Sequence, residues 1–165
     1  MAITEKDIVD FVNVKRDSVY AILELYTYAW LKRKYKGKVI APWKCFDFAA
    51  WDLKGTIVYE VKHNHYKLSW EQLVTAWRLY ESREINALYI MSNVKTTVEY
   101  LKLEETFETY LGIMYCYKMD FVKVNEKYHI DEILLGESLR RAEQEEKELK
   151  YMTTMLERIF RELET

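Results

Sequence analysis

Residues 46–62, reading FDFAAWDLKGTIVYEVK, constrain this chain more than any other stretch. Residues 46–51 form an apolar run, Asp52-Leu53-Lys54-Gly55 is a turn signal, and residues 56–61 are rich in β-branched and aromatic side chains. That order predicts a β-hairpin. Successive side chains on a strand point to opposite faces, so Val58, Glu60 and Lys62 share one side while Ile57, Tyr59 and Val61 share the other. Folding at residues 52–55 returns the second arm beside the first and brings Glu60 back toward Asp47. Two carboxylates and an ammonium then converge at one place. A solvated ion pair on an exposed antiparallel face is the plain alternative. The apolar flanks instead place the hairpin centrally, where charges are costly unless they have a partner or a task.

The remaining sequence bounds what can surround such a hairpin. A chain of 165 residues, half hydrophobic and 32% charged, is globular in composition and sized for one core. No uncharged apolar run approaches the ~20 residues that span a bilayer, and no signal-peptide pattern opens the sequence, so no membrane association and a cytoplasmic location are expected. The cysteines Cys45 and Cys116 lack metal-ligand spacing and are expected to be small buried residues in strands. The formal charge of −2 speaks against a strong general nucleic-acid binder, but it is unevenly spread. Residues 1–68 carry 12 Lys and Arg against 8 Asp and Glu, so the half with the hairpin is the basic half. Two glutamines and dense Lys, Glu, Ile and Tyr usage suggest a thermophile.

Along the chain, Thr4-Glu5-Lys6-Asp7 marks a helix start with Ile8, Phe11 and Val12 on its buried face. A second start falls at Asp17 or Ser18. Val19, Ile22, Leu23, Tyr26, Ala29, Trp30 and Arg33 follow with helical spacing, and Glu24 lies at the edge of that stripe. This helix ends in the basic run Lys32, Arg33, Lys34, Lys36, with Gly37 as its cap. The run suits either phosphate contact or helix-end electrostatics. A short strand over 38–43 leads into the hairpin. His63 and His65 follow it in a polar loop, better placed for substrate or solvent contact than for a transition metal, because no third ligand accompanies them. Ser69-Trp70-Glu71-Gln72 is a capping box opening a helix buried through Leu73, Ala76, Trp77 and Tyr80. Residues 86–92 form an apolar strand of the kind covered on both faces. A helix is expected over 97–111, then one bent strand or loose hairpin over 113–124. From Asp131 the chain is helical to its end, with Gly136 as a possible kink. There Leu135, Ala142, Leu149, Leu156 and Leu163 recur every seven residues, and Met152 and Ile159 fill alternate positions.

Hard divalent cations favour carboxylate and carbonyl oxygens, and Mg²⁺ is commonly held by one or two carboxylates plus substrate phosphate. Asp47 followed by Glu60-Val61-Lys62 resembles the metal-binding core of the PD-(D/E)XK nuclease superfamily, in particular its archaeal Holliday-junction resolvase and RecB-like branches. Glu24 in the preceding helix and Gln72 in the following one stand where many relatives carry an acid and a glutamine. Phe46 replaces the eponymous proline before Asp47, and the only proline is Pro42. The resemblance spans about residues 17–92.

The resemblance implies an α/β, restriction-endonuclease-like core, a central mixed β-sheet flanked by helices, followed here by a long C-terminal helix. The domain would occupy residues 1–130 and the amphipathic helical extension residues 131–165. It implies a Mg²⁺-dependent deoxyribonuclease of DNA recombination or repair, in which Mn²⁺ can replace Mg²⁺. Asp47, Glu60 and the Val61 carbonyl would hold the metal, Lys62 would position the water, Gln72 would orient water or substrate, and Glu24 would assist a second metal. Lys32, Arg33, Lys34, Lys36, His63 and His65 are the candidate contacts to DNA. A DNA-binding or assembly protein that keeps the nuclease fold with little activity is the alternative. The heptad stripe fits either a helix packed on its own domain or a homodimer through the C-terminal helix.

Overall fold

The computed structural model describes residues 2–15 and 21–164. Its elements run α1 (Glu5–Val14), α2 (Ile22–Lys34), β1 (Val39–Ile40), β2 (Phe48–Asp52), β3 (Gly55–Lys62), α3 (Trp70–Glu81), β4 (Ala87–Ser92), β5 (Leu101–Thr109), β6 (Gly112–Met119), α4 (Phe121–Tyr128) and α5 (Ile130–Glu164). The chain divides into two compact units, Met1–Val124 and Asn125–Thr165. Among the described residues no helix is long and apolar enough to cross a membrane.

The first unit is α/β, built on a six-stranded mixed sheet of order β1-β2-β3-β4-β6-β5. The predicted hairpin forms its middle. β2 and β3 pair antiparallel from Phe48↔Tyr59 to Asp52↔Gly55. Asp52 Oδ1 accepts the Lys54 N–H at 2.7 Å in the turn, and Gly55 takes φ +123°, a value side chains rarely adopt. A Cβ on Gly55 would also meet Asn86 Nδ2 at 2.8 Å. β3 then pairs parallel with β4 through the α3 crossover, and β4 continues antiparallel to β6. The apolar run ending at Ser92 is thus an interior strand, as its composition predicts.

α2 and the N-terminal helix cover one face of the hairpin. Phe11, Leu23, Tyr28, Leu31, Phe48 and Tyr59 belong to one buried cluster. The Tyr28 and Phe48 rings stack at 5.9 Å, and the Tyr35 and Tyr59 hydroxyls share a hydrogen bond of 2.6 Å. α2 buries Leu23, Leu25, Thr27, Tyr28, Ala29 and Leu31, so it is covered nearly all round rather than along one stripe. The helix start expected at Asp17 or Ser18 lies outside the described residues. At the other end both Lys36 (φ 53°) and Gly37 (φ 84°) take positive φ, and the Gly37 N–H closes the helix on the Lys32 carbonyl at 2.8 Å.

Three local expectations are corrected. The segment from residue 97 to 111 contains β5, one arm of a hairpin, and not a helix. A bulge between Leu103 and Glu105 breaks its two-residue alternation, and Leu103, Phe107 and Leu111 are left four apart, which mimics a helical face. The FVKV segment expected as a strand arm is α4, because Asp120 Oδ1 accepts the Lys123 N–H at 3.2 Å and opens a helix there. Cys45 is exposed and lies outside the strands, whereas Cys116 is buried in β6 as expected.

In the second unit α5 is one helix of 35 residues running through Gly136. Leu135, Leu149, Met152, Leu156, Ile159 and Leu163 are all exposed along it.

Candidate functional site

The register that pairs Phe48 with Tyr59, continued by one residue, sets Asp47 opposite Glu60 at the open end of the hairpin. Backbone and side chains lock the two acids together there. The Asp47 N–H donates to Glu60 Oε1 at 3.0 Å, and the Val61 N–H donates to Asp47 Oδ2 at 2.8 Å. A single turn signal in the sequence therefore dictates the meeting of two carboxylates from different strands.

Gln72 ties α3 to this pair. Its carbonyl oxygen accepts from the Ser69 N–H at 3.3 Å while Ser69 Oγ accepts from the Gln72 N–H at 3.1 Å, the capping box that the sequence predicts. The same oxygen accepts from Lys62 Nζ at 3.1 Å. Its amide nitrogen donates to the Cys45 carbonyl at 2.9 Å and to Glu60 Oε2. Capping and site assembly are thus one task of one side chain. Lys62 Nζ stands 3.4 Å from Glu60 Oε2.

Glu24 comes to the same place from the first turn of α2. It is joined to Asp47 by a residue the sequence reading missed. Lys15, just past the end of α1, has a side chain only 3% exposed; its ammonium lies 3.0 Å from Glu24 Oε2 and 3.2 Å from Asp47 Oδ1. It also sits 4.5 Å from the centre of the Phe48 ring. The signal was the spacing of Asp7, Phe11 and Lys15, each four residues apart, which is the face of α1 that is buried. The more apolar residues Ile8 and Val12 drew the prediction to the wrong face; both are exposed.

Crowding sets the protonation. Burial pushes the Glu60 carboxyl up to about 8, and the adjacent Asp47 adds to the shift. Burial would raise Asp47 too, but the hydrogen bond from Glu60, the Lys15 ammonium and the Val61 N–H outweigh it and hold Asp47 below the usual carboxylate range. The two acids thus titrate as one coupled pair, with Glu60 holding its proton more tightly than Asp47. Glu24 is raised by burial and by the Asp47 charge, against the pull of Lys15.

Asp47 and Glu60 form an adjacent pair of carboxylates on a rigid strand end, with the Val61 carbonyl next in the chain. That is a partial donor set of the sort Mg²⁺ completes with water and phosphate oxygens. Among the described residues no group of three or more His, Cys, Asp or Glu side chains is gathered closely enough to hold a metal ion by itself.

The other candidates are distributed around this centre. His63 and His65 are exposed in the loop that leaves Lys62. That loop is pinned to the end of β4 by Ser92 Oγ donating to the His65 carbonyl at 2.6 Å and by Asn64 N–H donating to Asn93 Oδ1 at 2.7 Å. The basic run lies at the far end of α2, about 12 Å along the helix axis from Glu24. Three of its cations are already paired: Lys32 with Asp10, Arg33 with Asp7 at 2.9 Å, and Lys34 with Glu105. Lys36 is exposed and has no ion-pair partner among the described residues. A surface concavity of about 690 Å³ around Lys34, Asp52, Arg83, Asn86, Tyr89 and Lys118 opens at the turn end of the hairpin and includes none of Glu24, Asp47 and Glu60. The chemistry-bearing groups are at the opposite end of β3, about 15 Å away.

Neither models of known protein families nor curated proteins match the chain.

Proposed function

We propose that the first unit is a Mg²⁺-dependent deoxyribonuclease with a restriction-endonuclease-like core. One observation carries this: Asp47 just before β2, Glu60 and Lys62 on β3, and Gln72 on α3 form a single connected hydrogen-bonded group at one end of a buried hairpin. A structural salt bridge needs two partners; this group sets two carboxyl groups side by side at a largely buried strand end, which is a poor arrangement for stability and a good one for receiving a cation.

Asp47, Glu60 and the Val61 carbonyl would hold the metal. When bound, Mg²⁺ would offset the charge that develops on a phosphodiester under attack. Cation binding requires any Glu60 proton to leave, so that the pair presents two carboxylates. Lys62, held by Gln72, is placed to position the attacking water and to stabilise the developing phosphate charge. In the hydrolysis the water oxygen bonds to phosphorus as the bond to the leaving sugar oxygen breaks; the water gives up a proton to solvent, and the leaving oxygen takes one from solvent to become a hydroxyl. Gln72 fixes both Glu60 and Lys62 and acts as a positioning residue. His63, His65 and Lys36 are the exposed groups offered to the DNA backbone.

The test is cleavage of labelled linear, circular, flapped and four-way DNAs with Mg²⁺ or Mn²⁺. Cutting of at least one substrate is expected, lost in EDTA and lost in Asp47→Ala and Glu60→Ala with the fold intact. Cutting that persists in EDTA, or in Glu60→Ala, would rule the site out. A nuclease-fold binding protein with little activity is favoured by one observation, the pairing of Lys32, Arg33 and Lys34 within the chain. Mn²⁺ binding and DNA binding without cleavage of any substrate would select it.

A further inference from the structure

Lys15 has no part in the hydrolysis outlined above, yet it is a buried charge at the site. Its ammonium bridges Glu24 on α2 and Asp47 before β2, at 3.0 and 3.2 Å. Asp47 is therefore flanked on two sides. Oδ1 faces Lys15, while Oδ2 and the backbone N–H face Val61 and Glu60. Two-metal hydrolytic sites place their ions about 3.5–4 Å apart and need an arrangement that serves both. Here Asp47 is the acid common to both halves of the group, and a protein cation already occupies one half.

We propose that the Lys15 ammonium serves as the resident cation of the Glu24–Asp47 half of the site, so that the site accepts one divalent ion, on the Asp47–Glu60 half. The inference rests on the nuclease reading for the existence of a metal site and goes beyond it in fixing the stoichiometry and removing Glu24 from the ligand set.

Three observations support residence over transient occupancy. The Lys15 side chain is 3% exposed, so its displacement would leave a buried void or drive the chain outward. Its ammonium gains from the face of Phe48 at 4.5 Å as well as from the two acids. Its backbone is fixed, the N–H donating to the Phe11 carbonyl at 2.9 Å. Charge points the same way. Glu24, Asp47 and Glu60 contribute three carboxyl groups, and Lys15 and Lys62 two ammoniums. Fully ionised, the group carries −1; one divalent ion brings it to +1, and a second would bring it to +3 without Lys15 moving.

The experiment counts Mn²⁺ on the full chain by calorimetric titration, with electron paramagnetic resonance to detect exchange-coupled pairs. Wild type and Lys15→Arg are expected to bind one Mn²⁺ with an uncoupled spectrum. Lys15→Gln is expected to bind two, with a coupled spectrum, and Lys15→Gln/Glu24→Gln to return to one. Near-UV circular dichroism checks each fold; Lys15→Met replaces Lys15→Gln if the amide variant does not fold. Two ions in the wild type, or one in a folded Lys15→Gln, would overturn the resident-cation role while leaving the nuclease site standing. No Mn²⁺ bound by the wild type or by any folded Lys15 variant would overturn the metal site itself.

Discussion

Replacing Glu60 with glutamine probes the site through stability and requires no substrate. The Glu60 carboxyl rises from an ordinary 4.5 to about 8 in the fold, chiefly by burial and then by Asp47. A raised acid favours the folded state while protonated. That stability is fully present below the unfolded value, near pH 4.5, and is lost as pH rises through about 8. At about 1.4 kcal/mol per unit, the upper limit of the loss is about 5 kcal/mol. Asp47 is shifted the opposite way, so it is ionised in both states over this window and adds nothing to the slope. For a chain of this size the upper limit corresponds to roughly 10–20 °C in Tm. Glu60→Gln keeps the shape and cannot ionise, so its Tm, followed by circular dichroism from pH 5 to 9, should lack that decline. The wild-type curve should fall relative to the variant over the same window, apart from any offset common to every pH. Mg²⁺ at a hundred times its Kd should restore about 2.7 kcal/mol to the wild type at high pH and nothing to the variant. Parallel curves for the two proteins would refute the raised Glu60 carboxyl, and equal rescue by Mg²⁺ would refute Glu60 as a ligand.

Lys62→Ala removes a charge that touches the reaction but not the metal, so Mn²⁺ affinity should survive while single-turnover cleavage falls about 10²-fold or more; a loss of metal affinity matching that of Glu60→Ala would make Lys62 a structural partner only. Lys36→Ala should lower the log–log salt slope of DNA binding by up to about one, and Lys32→Ala with Lys34→Ala should change it little because both are paired within the chain; the reverse order would show that those ion pairs open on DNA. The exposed Leu149, Met152, Leu156, Ile159 and Leu163 repeat at alternating spacings of three and four, the pattern that seats a helix on a second copy of itself. Light scattering should therefore give twice the 20.0 kDa chain mass, falling to a monomer when the chain ends at Glu148; a full-length monomer at high micromolar concentration would contradict it.

The sequence by itself determined what is local or periodic. A turn signal between two apolar arms specifies the hairpin and, through its register, the meeting of Asp47 with Glu60. Ser69 and Gln72, three apart, specify the start of α3 and so where the Gln72 side chain stands. Residues 87–92 announce an interior strand by having no polar face at all. The boundaries that failed did so where a local signal was broken or masked: the bulge in β5 turned a two-residue period into a four-residue one, and Asp120 capped a helix whose FVKV composition favours a strand. What only the tertiary structure decided depends on long-range placement. Lys15 and Asp47 are 32 positions apart, and nothing in either neighbourhood specifies their contact; it follows from packing α1 and α2 over the face of β2 and β3. The same holds for the basic run, whose partners Asp7, Asp10 and Glu105 come from α1 and β5. Hydrophobic spacing can place a charge on a helix, but which opposite charge it meets is set by how the elements pack, and at this site that choice governs where a cation can bind.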